Sequence, residues 1–167
     1  MKNYPLAATV LAILITQFLK YPISRIFMKK TETKLSIIHT TGGMPSSHTA
    51  AVTALITALS LQEGFASPYV AIAAAYGLIV MFDAMGVRRQ SGEQGVALRE
   101  ILDLLEAKAL EKKDPLLEEK LQQLAKKDLI IDDYLGHKPS EVFGGLLTGV
   151  LIALLSRYVF YFLGWVF

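Results

Sequence analysis

Two of the three histidines in this chain of 167 residues stand beside residues that could make them reactive. His137 precedes Glu141 by four positions, so one helical turn would place both side chains on the same face. A carboxylate that accepts a hydrogen bond from one imidazole nitrogen fixes the tautomer and leaves the other nitrogen available as a base or a nucleophile. The spacing therefore predicts a catalytic histidine with an orienting carboxylate. The alternative is a His–Glu pair that only caps a helix.

The second histidine, His48, follows a short run of residues that favours a helix start. In Gly-Gly-Met-Pro-Ser-Ser-His-Thr (42–49), Ser46 is a good N-cap, and Pro45 stiffens the approach to it. A helix N-terminus presents unpaired N–H groups and a partial positive charge, which suits an oxyanion or a phosphate. We expect His48 to face such an anion. The alternative is a capped helix with an incidental histidine.

Basic residues follow at two further places. Arg88 and Arg89 stand between glycines, where their guanidinium groups could bind phosphate oxygens in a bidentate manner. Lys20, with Gln17 about one turn before it, ends the first apolar segment. The alternative for these cations is the positively charged flank that membrane helices carry. Asp83 stands near the end of another apolar segment, and acids at that depth usually have a partner or a role.

The composition excludes several kinds of site. The chain has no cysteine, which excludes a disulfide framework, a thiolate zinc site and a cysteine nucleophile. The net charge of +2 gives no indication of a nucleic-acid partner. Asp83, Glu93 and Glu141 could together bind a divalent ion. That is the minority alternative to our expectation that the site uses neither a metal nor another cofactor.

The elements that must position these residues are apolar helices. Hydrophobic residues make up 53% of the chain and charged residues 19%, against about 45–50% and about 25% in a soluble domain. A helix that spans the bilayer needs about 17–25 mostly apolar residues. We predict an all-α membrane helix bundle with about four transmembrane helices in a single domain, 1–167. The first helix is expected to stay uncleaved, with a secretory signal as the alternative. The charge-free runs are 4–19, 46–61, 67–82 and 142–156.

The positions of lysine and arginine predict the orientation. Fifteen of the seventeen fall in 20–44 and 86–138, and loops rich in these residues face the cytoplasm. The polar clusters described above all lie at those ends, so we expect one site on the cytoplasmic side of a cell membrane. Within the longer loop, 97–127 is predicted to be an amphipathic helical hairpin whose second helix starts at Asp114-Pro115. It would lie on the membrane surface or on the domain, and the alternative is a lid over the site.

Three motifs together resemble those of the type-2 phosphatidic acid phosphatase superfamily, which also contains acid phosphatases and vanadium-dependent haloperoxidases. The closer resemblance is to the divergent bacterial and plant branch of that superfamily. The ordered set is specific and covers most of the chain. The motifs are Gly-Gly-Met-Pro-Ser-Ser-His (42–48), Asp-Ala-Met-Gly-Val-Arg-Arg (83–89) and Leu-Gly-His-Lys-Pro-Ser-Glu-Val (135–142).

The resemblance implies a role for each matching residue. His48 would act as the general acid on the leaving oxygen, and His137 would attack phosphorus. Glu141, in place of the usual aspartate, would orient His137. Ser46 and Ser47 would supply N–H or hydroxyl contacts to the phosphate, with Ser47 in place of the usual glycine.

The cations that would hold the phosphate oxygens depart from the superfamily pattern. Lys20 lacks the Arg-Pro pair that usually follows such a lysine. Ile131 stands where the third motif usually has an arginine. We therefore expect Arg88 or Arg89 to substitute, together with Lys20.

These features predict a membrane phosphatase that hydrolyses a phosphomonoester through a phosphohistidine intermediate. A lipid phosphate in the cytoplasmic leaflet is the expected substrate, because helix ends at the membrane surface can admit a headgroup while the acyl chains stay in the bilayer. One alternative is a catalytically inactive membrane protein that binds anionic lipid or a protein partner through its basic loops. A second is a vanadate-dependent peroxidase. The oligomeric state is left open.

Overall fold

The computed structural model describes residues 3–27, 43–112, 115–125 and 136–165, and every regular element within them is a helix. The predicted all-α class is therefore confirmed. Gly42, Asp114 and Ile131 lie outside the described residues. The helices are α1 (Tyr4–Phe27), α2 (Ser47–Glu63), α3 (Pro68–Met85), α4 (Val87–Lys112), α5 (Pro115–Ala125) and α6 (Pro139–Phe162).

Helix α2 lies at the centre of the bundle, in contact with α1, α3 and α6, while α1 also contacts α6. The core positions of α2 are small, since Ala50, Ala54 and Ala58 are fully buried. They belong to one cluster with Ala8 and Ala12 of α1. Small side chains let helix backbones approach closely, which is how membrane helices pack. The predicted membrane helix bundle is confirmed.

Three stretches are long and apolar enough to cross a membrane: Tyr4–Ile23, Pro68–Lys112 and Pro139–Phe162. The apolar part of the second stretch is α3, because α4 is rich in charged residues. The predicted span 46–61 corresponds to α2, which has 17 residues and is therefore about 26 Å long. That length is at the lower limit for crossing the bilayer. The described residues thus contain three candidate spans, and α2 packs among them.

Two glycines of α6 set its close approach to α2. A Cβ atom added to Gly145 would lie 2.5 Å from the carbonyl oxygen of Ser46, and one added to Gly149 would lie 2.4 Å from that of Ala50. Neither backbone oxygen can move away without displacing α2. The Gly-x-x-x-Gly spacing places both glycines on one face, so this face of α6 fits directly against α2.

Two hydrogen bonds join the helices at the end of the bundle away from the histidines. The Tyr4 hydroxyl donates to the Ala153 carbonyl oxygen at 2.7 Å, and Arg157 donates to the Leu61 carbonyl oxygen at 2.5 Å. The amino terminus of α1 and the carboxyl termini of α2 and α6 therefore share this end. The opposite ends of these helices meet at the other end of the bundle, where the predicted site residues lie.

Helix α4 follows α3 after a break at Gly86 and begins at Val87, well before the hairpin predicted at 97. Among the described helices it contacts only α3 and α5. Ala109 of α4 and Leu121 of α5 are buried, whereas Leu98 and Leu105 of the predicted hairpin are exposed. Because α4 begins so early, the two adjacent arginines stand in its first turn rather than in a loop.

Candidate active site

The candidate site is built around His137, immediately before α6. Its Nδ1 lies 2.9 Å from Oε2 of Glu141, and the imidazole is almost completely buried. The same carboxylate oxygen accepts a hydrogen bond from the Lys138 N–H at 3.2 Å. Glu141 therefore both closes the first turn of α6 and holds the imidazole, so the two alternatives for this pair, a catalytic histidine with its carboxylate and a helix cap, are compatible.

The second ring nitrogen of His137 is left available. Nε2 is buried, and no described residue gives it a hydrogen bond. With the Nδ1 proton directed to Glu141, Nε2 carries a lone pair. A buried polar atom without a partner costs about 1–3 kcal/mol. His137 lines a cavity, so a substrate bound there could make the missing interaction.

Backbone contacts fix His137 relative to the other helices. Its N–H donates to the carbonyl oxygen of Ala84, near the end of α3, at 2.9 Å. The preceding Gly136 has φ +89°, and a Cβ added to it would lie 2.3 Å from the backbone nitrogen of Arg89. Only glycine fits this conformation at such a close approach. The turn before α6 is therefore held against the α3–α4 junction.

His48 faces His137 from the first turn of α2. The ring centroids are 6.3 Å apart with planes inclined at 60°, and both rings line the same cavity. The residue is exposed to this cavity, in contrast to the buried His137. One phosphoryl group placed between the rings could contact both. The structure therefore brings together the two histidines that the sequence singles out.

The electrostatic surroundings of His48 favour its neutral form. His48 lies outside the three candidate spans. Desolvation by the cavity wall lowers its pKa below the usual value, and the positive charges of Arg88, His137 and Lys20 lower it further. The negative charge of Asp83 opposes them. A phosphate dianion bound between the histidines would also favour the protonated form.

The two adjacent arginines have different surroundings. Arg88 lines the cavity and donates to Asp83 at 2.5 Å, and Asp83 lines the cavity as well. Arg89 does not line it, and donates instead to Glu93 one turn further along α4 at 2.9 Å. Asp83, for which the sequence predicts a partner or a role, thus has a basic partner in Arg88. Of the two arginines predicted to bind phosphate, only Arg88 lines the cavity.

Lys20 and the two serines take different positions. Lys20 is fully buried and does not line the cavity, but its charge acts on both Glu141 and His48. Ser47 is buried in the cavity wall. Ser46 is the N-cap of α2, as predicted; its Oγ accepts from the Thr49 N–H. Its own N–H donates to the Glu141 carbonyl oxygen, so the predicted N–H contact from Ser46 to phosphate has no available donor.

The remaining members of the predicted site also have defined positions. Gln17 lines the cavity, and its Oε1 is buried with no hydrogen-bond partner among the described residues. No group of three or more His, Asp or Glu side chains within the described part of the chain could hold a metal ion. Asp83, Glu93 and Glu141 each contact a different basic group, which separates the three acids of the minority metal alternative.

Several residues of the site were not singled out by sequence reasoning. The cavity has a volume of about 570 Å³ and continues past the histidines along side chains that include Thr9, Ile13, Tyr76 and Ile79. The spacing of three of them in the sequence could have identified them, because Thr9, Ile13 and Gln17 recur at intervals of four and so share one face of α1. The hydrogen bond from the His137 N–H to the carbonyl oxygen of Ala84 is not indicated by any pattern in the sequence.

The fold and the site define a helical membrane protein in which a buried His–Glu pair faces a second histidine across a cavity. The chain belongs to the divergent PAP2 family, whose profile matches residues 1–152. It is 43% identical over 159 residues to the uncharacterized membrane protein YuiD of Bacillus subtilis (strain 168), a match that covers 95% of this chain and 96% of that protein. No solved structure matches the chain. The resemblance drawn from the three motifs is confirmed.

Proposed function

We propose that this protein is a phosphatase that hydrolyses a phosphomonoester through a phosphohistidine on His137. One observation carries the proposal: Nε2 of His137 is buried and has no hydrogen-bond partner among the described residues, while Glu141 holds the other ring nitrogen. His137 also lines the cavity beside His48, a position that a histidine that only capped a helix would not require. Membership of the divergent PAP2 family supports the same chemistry.

In the first step, the Nε2 lone pair attacks phosphorus and the bond from phosphorus to the ester oxygen breaks. The imidazole of His137 becomes positively charged, and the carboxylate of Glu141 stabilises that charge through Nδ1–H. His48, on the other side of the phosphoryl group, donates a proton to the departing alkoxide. The products of this step are an alcohol and a phosphohistidine.

In the second step, water attacks the phosphohistidine and His48, now neutral, accepts a proton from that water. The bond from phosphorus to Nε2 breaks, which releases inorganic phosphate and restores His137. The lowered pKa of His48 suits this role, because a neutral imidazole is the form that accepts a proton. Arg88 would stabilise the charge on the equatorial phosphate oxygens, with Lys20 adding positive potential from its buried position.

A lipid phosphate in the cytoplasmic leaflet is the substrate class that fits this site. The site lies at one end of the bundle, where a headgroup can meet the protein while its chain stays among the helices. The concentration of lysine and arginine in 20–44 and 86–138 supports a cytoplasmic orientation of that end. Cysteines introduced at Ser67 and Lys112 should be labelled from opposite sides of intact cells. Labelling of both by an impermeant reagent would overturn the four-span model, and labelling of the Lys112 position alone would overturn the cytoplasmic orientation.

The direct test of the function is phosphate release by the purified protein from a panel of lipid and soluble phosphomonoesters. We expect release from at least one lipid phosphate, and its loss in His137→Ala. The competing proposal is a membrane protein that binds anionic lipid through its basic residues without hydrolysis. Lipid binding that tracks only the number of lysines and arginines, with no phosphate release from any substrate, would favour that proposal.

A further inference from the structure

The cavity is longer than a phosphate group requires. From the two histidines it continues along α1, α2 and α3 to positions about two helical turns away, which corresponds to about 11 Å. The walls of this extension are predominantly apolar, although the hydroxyl-bearing Thr9 and Tyr76 are among them. They include Ile13 of α1, Ala51 and Leu55 of α2, and Tyr76 and Ile79 of α3.

The extension is open between two helices. Both α1 and α3 contact α2, but among the described helices they do not contact each other. Helix α2 therefore forms the floor of a slot whose two walls are α1 and α3. Both walls belong to candidate membrane spans, and their lining side chains Ile13, Tyr76 and Ile79 are 40%, 57% and 67% exposed. The slot thus faces the hydrocarbon region of the bilayer.

We propose that this slot binds one hydrocarbon chain of the phosphate substrate while the histidines hold its phosphate; the inference rests on the proposed function and specifies its substrate. The occupant follows from continuity, since a single cavity has His48, His137 and Arg88 at one end and predominantly apolar walls beyond them. The slot is a single groove between α1 and α3, and we assign one hydrocarbon chain to it. The substrate is thus an amphiphile whose phosphate and chain are separated by only a few atoms.

Gln17 lies between the phosphate end of the cavity and the slot, and it favours a polar group on the substrate there. It stands one turn from Ile13 toward the histidines and lines the cavity, and its buried Oε1 lacks a hydrogen-bond partner among the described residues. A purely hydrocarbon neighbour would leave this acceptor without a hydrogen bond, which costs binding free energy. The substrate is therefore inferred to carry a hydroxyl or an amide N–H next to its phosphate ester.

The chain site is tested with butyl-, hexyl- and octylphosphonate, whose carbon–phosphorus bond resists hydrolysis. Binding to the purified full-length protein should strengthen by about two- to fourfold for each added methylene, because each is removed from water. Ile79→Trp, which fills the slot, should abolish this dependence on chain length while butylphosphonate still binds. Leu78→Trp is the matched control, because Leu78 is similarly exposed but does not line the cavity. Ile13→Trp fills the slot from the other wall and should reproduce the result if Ile79→Trp does not fold.

An equal dependence on chain length in the wild type, Ile79→Trp, Ile13→Trp and Leu78→Trp would overturn the chain site. Hydrolysis is measured in parallel with the corresponding alkyl phosphates, so that the two proposals can fail separately. If the slot variants lose the chain-length effect but the wild type hydrolyses none of the alkyl phosphates, the chain site is retained and the phosphatase is rejected. Hydrolysis that is insensitive to both slot variants would retain the phosphatase and reject the chain site.

The role of Gln17 is tested by comparing octylphosphonate with its 2-hydroxy derivative. Wild-type protein should prefer the hydroxylated compound by about three- to tenfold, the range expected of a neutral hydrogen bond. Gln17→Leu, which is close in size, should lose this preference and still bind octylphosphonate. An unchanged preference in Gln17→Leu, or no preference in the wild type, would overturn the assignment of Gln17.

Discussion

The backbone N–H of Ser46 donates a hydrogen bond to the carbonyl oxygen of Glu141, 3.0 Å away. This bond joins the start of α2 to the start of α6, although the two residues are far apart in sequence. His48 lies two residues after Ser46, and His137 is held by the Glu141 side chain. The relative position of the two histidines is therefore set by the backbone of two packed helices. Their separation should change little when surface residues are replaced.

The role of His48 predicts a dependence on the leaving group. His48→Ala should slow hydrolysis of an alkyl phosphate by about 10²–10⁴-fold, because its alkoxide leaves poorly without a proton. The loss should be smaller with an aryl phosphate, whose leaving oxygen needs little protonation. Steady-state kcat/KM values for the two substrate types measure the contrast. Equal losses on both would retain the enzyme but remove the general-acid role of His48.

The different positions of the two arginines predict different effects of the same substitution. Arg88→Lys keeps the charge but loses the bidentate fork, and should lower kcat/KM by about 10- to 100-fold, as expected for a hydrogen bond to a charged group. Arg89→Lys is the matched control, because Arg89 pairs with Glu93 away from the cavity. Its effect should stay within about threefold. A larger loss in Arg89→Lys than in Arg88→Lys would contradict the observed arrangement.

The lowered pKa of His48 predicts the pH dependence of the first step. Because kcat/KM reports ionisations of the free enzyme, activity on an alkyl phosphate should fall as pH rises through the pKa of His48. Arg88→Gln removes a positive charge that lowers this pKa. The pKa of His48 then rises, and His48 stays protonated to higher pH. The fall in kcat/KM on the alkaline side of the profile therefore moves to higher pH.

Arg88→Lys serves as the control for this pH profile, since it keeps the charge and should leave the fall in kcat/KM at the same pH. Ionisation of the substrate is the same for all variants and cannot produce the difference. If kcat/KM fell at the same pH in the wild type, Arg88→Gln and Arg88→Lys, His48 would not be the titrating group.

The contact between α6 and α2 predicts a difference between two glycines of the same helix. Gly149→Ala places a Cβ against the backbone oxygen of Ala50 and should destabilise the protein by about 1–3 kcal/mol, the usual effect of overpacking. Gly144→Ala meets the flexible end of Met44 at 3.1 Å. It should be close to neutral, because alanine also favours the helix. Thermal unfolding in detergent measures both, and equal midpoints would contradict this packing.

Much of this arrangement was predictable from the sequence. Charge-free runs predicted the helices, and the lysine and arginine pattern predicted that the polar clusters meet at one end. The i, i+4 spacing predicted the contact between His137 and Glu141. The difference between Arg88 and Arg89 could not be predicted, because it depends on α4 beginning directly after Gly86. The apolar slot also escaped prediction, since it exists only because α1 and α3 contact α2 without contacting each other.

The most direct test of the central claim is to trap the phosphorylated enzyme. Rapid acid-free quenching after mixing with a labelled aryl phosphate should give a base-stable, acid-labile label on His137. The label should be absent in His137→Ala and reduced in Glu141→Gln. It should accumulate in His48→Ala, which still forms the intermediate from this substrate but lacks the base that hydrolyses it. Phosphate release that persists in His137→Ala, with no label on any variant, would contradict the account.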